Sequence, residues 1–496
     1  MVKDGRQHIE SLRDGRQIYI DGELAQNHVD HPAFQNSIRS AAAMYDYQAL
    51  PENLKRMTYL SPKTGDPVNR MWQLPTSHAE LVERRRALEA WANLSCGFFG
   101  RSPDHVASAL SGMYMGIDLF QRHGERYARA LSDYYEYARD KDLYLTYAIV
   151  SPQADRSKSV GDQEAEFVAA GVVDEDQEGI TIKGAKMLAT GCPMANELMV
   201  ASIQPLKAGE EKYSFTAMVP LNAKGVKLFS RKSFEASAVS QFDNPLSYSF
   251  DENDSLLYFD EVKVPWERVF VHNDVQMATA QWHTIPTHVY QNYQCQVRLT
   301  VKLRFLLGLA RKITETNGIS GFPPVKEILG QMAAEVSMVE GLVESMEISG
   351  SMYGKYFVPN NSRLYAANVL TQQLYPKFTH TLRELAGGGM IMLPSSAADF
   401  RNPEIAEYIK KTQFSPATDS LGRVKLFKLA WDAVGSEFGS RHLQYEMFYS
   451  GANMVTRGHC FRAYDWDKVV DLVDNLLSSY ALPDPVKILQ ETKHTA

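Results

Sequence analysis

Two short segments carry side chains that could do chemistry together. The apolar run Tyr147-Ala-Ile-Val-Ser ends at Pro152, and the turn it forces presents an amide, a carboxylate and a guanidinium: Gln153, Asp155 and Arg156. Downstream, Lys183-Gly-Ala-Lys-Met-Leu-Ala-Thr190 is patterned as a strand and delivers a lone threonine, Thr190, after an apolar stretch. Polar groups held on rigid backbone beside an apolar wall suit a flat heterocycle with many hydrogen-bonding edges, and a flavin is such a molecule. A proline turn before a strand is also ordinary punctuation. On these residues alone, a salt-bridged loop leading into a sheet is the simpler account.

The rest of the chain must build the elements that hold these groups. Its 496 residues exceed what one hydrophobic core serves, so more than one domain is expected. With 52 basic and 59 acidic residues the net charge is −7, and no basic stripe or polybasic tail points to nucleic acid or an anionic membrane. The longest apolar stretches, such as Phe305-Leu-Leu-Gly-Leu-Ala310, fall short of a membrane span, and the N-terminal residues have no apolar signal core. Cys96, Cys192, Cys295 and Cys460 form no C-x-x-C pair, which argues against a disulfide framework and a tetrahedral zinc site. A cytoplasmic protein with no bound metal is expected.

Periodicity divides the chain into three regions, and an α+β protein is expected. Residues 1–148 read as helical, with Leu81, Leu88, Trp91 and Leu94 near helical spacing and Arg84 and Arg85 interrupting the stripe. Residues 149–277 hold short β-branched and aromatic runs, among them Gly179–Lys183, Leu198–Ser202, Tyr213–Pro220, Val226–Phe229 and Ser255–Asp260. Turn residues separate them, as in a small antiparallel barrel or sandwich. Residues 278–496 return to long helices over Val297–Ile313, Val325–Tyr353, Ser362–Leu385 and Arg423–Glu437. A binding site is expected where the β-region meets the last helices. No G-x-G-x-x-G follows a strand and no P-loop occurs; Gly387-Gly-Gly389 reads as a helix stop.

Read in order, several further segments resemble the 4-hydroxyphenylacetate 3-hydroxylases, the oxygenase components of two-component flavin monooxygenases. They are Ile18-Tyr-Ile-Asp-Gly-Glu23, Gly97-Phe-Phe-Gly-Arg-Ser-Pro-Asp104, Pro152–Arg156, Phe250–Asp254, Val264-Pro-Trp-Glu-Arg-Val269, Leu393–Ser396, Trp431–His442 and Tyr449-Ser-Gly451. The resemblance implies an acyl-CoA dehydrogenase-like fold, with an N-terminal helical domain, a β-barrel and a C-terminal four-helix bundle, assembled as a homotetramer. It implies FAD, used as FADH2 made from NAD(P)H by a separate reductase, and molecular oxygen as co-substrate. A flavin hydroperoxide would then hydroxylate a phenol ortho to its hydroxyl, the cofactor carrying the hard step while the protein orients and tunes.

By the same resemblance Gln153, Asp155, Arg156 and Thr190 contact FAD, and the loop Ser450, Gly451, Ala452 and Asn453 closes on its other side. Arg101 matches an arginine that holds the substrate hydroxyl; an isolated arginine is otherwise a surface ion-pair residue. Ser202 and Ile203 match the segment facing the substrate's tail. One departure stands out. Family members acting on 4-hydroxyphenylacetate carry a tyrosine after Arg-[Ser/Thr]-Pro-Asp and a histidine before Ala-Ile-Val, whereas here those positions hold His105 and Tyr147. If the two face each other, one imidazole and one phenol still flank the substrate hydroxyl, in a pocket reshaped for another phenol. The alternative turns His105 onto a helix surface.

A rival reading starts from the related 4-hydroxybutyryl-CoA dehydratases, which share the fold and bind FAD with an iron–sulfur cluster. Cys96, His288 and Cys295 stand at three of the cluster-ligand positions, while Gly100 replaces the fourth. An acyl-CoA dehydrogenase acting by hydride transfer, which needs a carboxylate base over the flavin, and a non-catalytic flavin-storage protein are the remaining alternatives.

Overall fold

The structure is a computed structural model that describes residues 2–482 apart from 153 and 166; the expected flavin contact Gln153 therefore lies outside the described residues. In the N-terminal region, α1 (His78–Leu94) begins where the Ser77 hydroxyl accepts the Glu80 N–H at 3.3 Å, a side-chain cap on an otherwise orphaned donor. Leu81, Leu88 and Trp91 are buried along it, and so is Arg84. The Arg84 guanidinium donates to the Met71 carbonyl and the Ser108 hydroxyl and lies 4.1 Å from the centre of the Tyr290 ring. Acceptors and an aromatic face thus take up most of the charge that breaks the apolar stripe, with only Nη1 lacking a partner among the described residues. Next, α2 (Pro103–Met115) opens with proline at its first turn, where the missing N–H costs nothing. It is buried without interruption from Pro103 to Met113. Against it packs α3 (Glu125–Asp140).

The strands of the two larger sheets are β1 (Gln17–Ile20), β2 (Glu23–Leu24), β3 (Leu145–Ala148), β4 (Gly171–Glu175), β5 (Gly179–Thr190), β6 (Glu197–Val200), β7 (Thr216–Pro220), β8 (Val226–Ser230), β9 (Asp254–Pro265) and β10 (Val269–Val271). Where an antiparallel barrel or sandwich was expected, these strands form two open sheets, in the orders β2-β1-β8-β9-β5-β4 and β10-β7-β6-β3. Two pairings, β1 with β8 and β3 with β6, are parallel. Both arise because β1 and β3 come from the N-terminal region, so a long connection, not a hairpin, brings each beside its partner. An isolated bridge, Val150 to Met187, links the continuation of edge strand β3 to β5.

Among the helices that follow are α4 (Val275–His283), α5 (Thr287–Thr316), α6 (Pro323–Ile348), α7 (Asn361–Ala386), α8 (Ser420–Val434), α9 (Glu437–Phe448), α10 (Asn453–Ala463) and α11 (Trp466–Ser478). In α6 the residues Met332, Val336, Val339, Val343 and Met346 form the buried stripe. The helix expected to reach Tyr353 stops at Ile348, because Ser351–Tyr353 pairs with Tyr356–Val358 as a hairpin turning on Gly354 at φ +57°. As the glycine run foretells, α7 ends at Gly387, φ +59°. One apolar core joins the N-terminal helices to both sheets, and a second fills the space among α5, α6, α7, α8 and α9. The N-terminal half of α5 belongs to the first core and its C-terminal half to the second.

Candidate active site

The loop Gly97–Ser102 is pressed onto α5. Gly97 sits at φ +75°, and a Cβ there would fall 2.8 Å from the Arg298 carbonyl oxygen; a Cβ at Gly100 would fall 2.5 Å from the Tyr445 ring. The tight path delivers Arg101 inward. Its backbone is pinned on both sides: its N–H donates to Glu252 Oε2 at 2.8 Å and its carbonyl accepts the Tyr144 hydroxyl at 2.7 Å. The guanidinium is buried between the rings of Tyr147 and Tyr445, 5.0 and 5.2 Å from their centres. Among the described residues, Nη2 reaches only the Tyr449 carbonyl, at 3.5 Å, and buried Nη1 has no partner. Burial pulls the guanidinium's pKa down, but the surrounding Tyr147, Tyr445, Cys295 and Glu252 more than reverse it, so the group stays charged.

One turn into α2, His105 is buried and faces this arginine's neighbour. Its Nε2 lies 3.4 Å from the Tyr147 hydroxyl, with the two rings 5.4 Å apart. The alternative of a surface-turned His105 is therefore not what the fold adopts. A relay from α5 fixes the ring. Gln294 donates through Nε2 to Asp104 Oδ1 at 3.0 Å, which turns its Oε1 toward His105 Nδ1, also at 3.0 Å. Nδ1 thus carries the proton, and Nε2 accepts from the Gln291 amide at 2.8 Å. Burial first, then the Arg101 charge, push the imidazole's pKa well below its ordinary value, so His105 is neutral. Burial raises the Tyr147 phenol, and Arg101 partly offsets that rise.

The residues expected at the tail and the cofactor are distributed around this centre. Ser202 and Ile203 extend β6 alongside the continuation of Tyr147's strand, the Ile203 N–H meeting the Ile149 carbonyl at 3.4 Å. The Ser202 hydroxyl donates to the Tyr213 carbonyl at 2.9 Å, and its carbonyl accepts the Trp282 indole N–H. Thr190 ends β5, with its hydroxyl donated to Asp254 Oδ1 at 2.6 Å and its carbonyl accepting the Thr146 hydroxyl. Ser450 and Gly451 follow directly on Tyr449, and Gln372 of α7 clamps them, donating to the Gly451 carbonyl at 2.8 Å and reaching the Ser450 hydroxyl at 3.4 Å. Gly451 takes φ +105°, and exposed Ala452 and Asn453 open α10. Asp155 and Arg156 lie on an exposed turn, where the hydrogen bonds of Asp155 stay local, to Ser157 and Gln163.

Beneath the centre runs a buried ionic frame. Glu446 of α9 pairs with Arg298 and with Lys302 of α5, the latter at 2.9 Å. Arg441 grips Asp254 at 2.6 Å and Glu252 at 2.8 Å, and Arg231 holds Asp251 and Asp254. Burial alone would raise the Glu446 carboxyl, but Arg298 and Lys302 outweigh it and hold the group at about 2. Sequence patterning missed this frame, and with it Gln291, Gln294, Gln372, Tyr445 and a buried lysine, Lys186. The signal was available in the run His288-Val-Tyr-Gln-Asn-Tyr-Gln-Cys-Gln-Val-Arg298, too polar for a helix buried on every side.

The iron–sulfur ligand set is not assembled. Cys295 Sγ points to His105 Nδ1 at 3.4 Å, His288 turns to the Tyr365 hydroxyl at 3.2 Å, and the Tyr445 ring fills the space beside Gly100. No cluster of potential ligands among the described residues contains Cys96.

These features together describe a largely helical protein with mixed sheets and a buried arginine set between phenols. The same architecture is found in the crystal structure of the oxygenase component of 4-hydroxyphenylacetate 3-monooxygenase complexed with FAD and 4-hydroxyphenylacetate, at a TM-score of 0.91 and 29% identity, covering 96% of this chain and 98% of that one. Models of the 4-hydroxyphenylacetate 3-hydroxylase N-terminal and C-terminal regions match residues 4–271 and 278–478. The oxygenase component of a Geobacillus 4-hydroxyphenylacetate 3-monooxygenase is 33% identical, covering 91% of each chain. The oxygenase component of a Rhodococcus 4-nitrophenol 2-monooxygenase is 35% identical over 93% of this chain and 88% of its own. The chain belongs to the 4-hydroxyphenylacetate 3-hydroxylase family.

Proposed function

We propose that the protein is the oxygenase component of a two-component monooxygenase that hydroxylates a phenol ortho to its hydroxyl, giving a catechol, with FADH2 supplied by a separate NAD(P)H:flavin reductase. The observation that carries this reading is Arg101: a buried guanidinium with Nη1 orphaned, a single hydrogen bond of 3.5 Å and no carboxylate partner among the described residues. A permanent cation in that state calls for an incoming oxygen anion. At about 4 Å and an effective dielectric of about 20, attraction to a phenolate amounts to about 4 kcal/mol. Ionising a phenol of pKa about 10 at pH 7 costs about the same. Arg101 therefore suffices to hold the substrate as phenolate, the electron-rich form that attacks an electrophile through its ortho carbon. Neutral His105 supports it: Gln294 sets its tautomer, its Nε2 accepts from Gln291, and the Tyr147 hydroxyl lies 3.4 Å from that nitrogen.

The residues present fit a flavin. Tyr445 Oη, like Arg101 Nη1, is buried without a partner among the described residues, and the left-handed Gly451 lets the Ser450–Asn453 loop approach a ligand closely. We assign Thr190, Ser450, Gly451, Ala452 and Asn453 to hold it, with Gln153, Asp155 and Arg156 at its edge. When bound, reduced flavin and dioxygen supply the electrophilic oxygen atom; the second oxygen leaves as water. Ser202 and Ile203 line the tail side. Because His105 and Tyr147 occupy each other's expected positions, the substrate is a phenol other than 4-hydroxyphenylacetate.

We divide the chain as 1–148, 149–277 and 278–496; the break between the two family models supports the second of these boundaries. The proposed assembly is a homotetramer; what α11 supports is association as such, since Val470, Val473, Leu476 and Leu477 on it are all exposed and none of its residues is buried. No described helix is long and apolar enough to cross a membrane, and a cytoplasmic location accords with this. The test is to load the protein anaerobically with FADH2, mix it rapidly with oxygenated buffer and follow the near-ultraviolet spectrum. A transient species preceding oxidised flavin, decaying faster with some phenols and yielding catechol, is expected. Immediate appearance of oxidised flavin, unaffected by any phenol, overturns the proposal.

A further inference from the structure

Away from Arg101, three histidines converge where α4, α5 and α10 meet. His283 is the last residue of α4, His288 lies in the first turn of α5, and His459 is on α10. One ring nitrogen from each lies within 4.8 Å of the others, and the ring centres are 4.8 to 5.1 Å apart. We propose that His283, His288 and His459 form a binding site for one borderline divalent transition-metal ion, zinc being the reference, which fastens α10 to the α4–α5 junction. The proposal is independent of the hydroxylase reading.

The chemistry of the donors suits such an ion. Imidazole binds zinc, copper and nickel through a neutral ring, and all three rings are held neutral. Burial is the main cause for each. His283 and His459 add to it at His288, and His283 and Arg462 add to it at His459, which falls to about 4. His288 Nδ1 lies 3.2 Å from the Tyr365 hydroxyl, which can accept an Nδ1 proton and so leave the Nε2 lone pair for the ion; an outer hydrogen bond of this kind sets the tautomer of metal-bound histidine. Zinc–nitrogen bonds of about 2.0–2.1 Å place neighbouring donors about 3.3 Å apart in a tetrahedron. The nitrogens must therefore close by up to about 1.5 Å, a movement to which exposed His283, at a helix end, and His459 on α10 both contribute by side-chain rotation. Three ligands leave the fourth position to water.

One neighbour opposes the ion. Arg462 Nη2 donates to His459 Nδ1 at 2.9 Å, so binding through His459 Nε2 requires this contact to break and a proton to settle on Nδ1. That makes Arg462 a diagnostic handle, because a guanidinium beside a dication repels it.

The experiment is equilibrium dialysis of the tag-free, chelator-stripped full-length chain against zinc, with elemental analysis, repeated with cobalt and its visible spectrum. One ion per chain is expected, with a cobalt spectrum of low coordination number. His283→Gln and His459→Ala should each weaken zinc binding at least tenfold, and Arg462→Gln should tighten it. Zinc should raise the melting temperature of the parent but not of His283→Gln, which also shows that the variant folds. Absence of saturable stoichiometric binding, or binding unchanged in His283→Gln and His459→Ala, overturns the proposal.

Discussion

Arg101 and Arg298 are both buried arginines that touch the ring of Tyr445, yet they are treated oppositely. Arg298 has Nη1 and Nη2 on the Glu446 carboxylate, which Lys302 also shares, and only its Nε lacks a partner among the described residues. Among the described residues Arg101 has aromatic faces, one distant carbonyl and an orphaned Nη1. A buried cation paired within the protein is part of its frame, whereas one left unpaired is reserved for something that arrives. The frame surrounds the reserved charge: Glu252 accepts both the Arg101 N–H and Arg441, so the unpaired arginine is anchored by its backbone while its side chain remains uncommitted.

The comparison is broken most severely at Glu446. Glu446→Gln leaves Arg298 and Lys302 buried without a counter-charge and should cost about 3–5 kcal/mol in denaturant unfolding. The parent should show the same dependence in acid. With its carboxyl depressed to about 2, the contribution of Glu446 is intact above the ordinary glutamate pKa of 4.5 and is lost as pH falls from there through about 2. Arg101→Ala should do the reverse. Stability and FAD binding should change little, while hydroxylation falls about 10²–10³-fold, the usual loss when a group facing developing negative charge is removed. Unfolding comparable to that of Glu446→Gln would place Arg101 in the frame.

Smaller effects sharpen the contrast. His105→Tyr combined with Tyr147→His should raise the kcat/KM ratio for 4-hydroxyphenylacetate over the native phenol about tenfold, within the range one altered pocket contact yields. An unchanged substrate profile would show that the exchange does not set specificity. The least effect is expected at Lys186, buried with only the Ser151 and Ser202 hydroxyls at 3.4 and 3.3 Å among the described residues. Burial lowers its pKa from 10.5 to about 7. The unfolded chain therefore binds the extra proton between pH 7 and 10.5, and folding is favoured as pH rises through that window. Lys186→Met should stabilise the protein at pH 7 by roughly 1 kcal/mol, and the advantage should shrink toward about pH 10. Equal stabilisation at both pH values would mean that packing, not charge, is responsible.

The sequence disclosed these regions unequally. Helices α6 and α7 were legible because burial on one side imposes a stripe, and the Arg101–His105–Tyr147 grouping followed from a resemblance that names positions without geometry. The sheet topology was hidden, since parallel partners such as β3 and β6 are chosen by tertiary contacts that no local pattern encodes. The ionic frame was hidden for a related reason. A carboxylate such as Glu446 reads as a solvated helix face until its partner, 148 residues away, is seen beside it.

The 30-residue helix α5 carries Gln291 and Gln294 for the ring of His105 and, further along, Arg298 and Lys302 for the frame. Each added or deleted residue in a helix rotates everything beyond it by about 100°. An insertion between Gln294 and Arg298 would keep one set facing inward only by turning the other away. Length change is thus forbidden there, and under the proposed assignment substrate range would be altered by exchanging side chains on α2 and β3, as at His105 and Tyr147, rather than by re-spacing the helix that serves both.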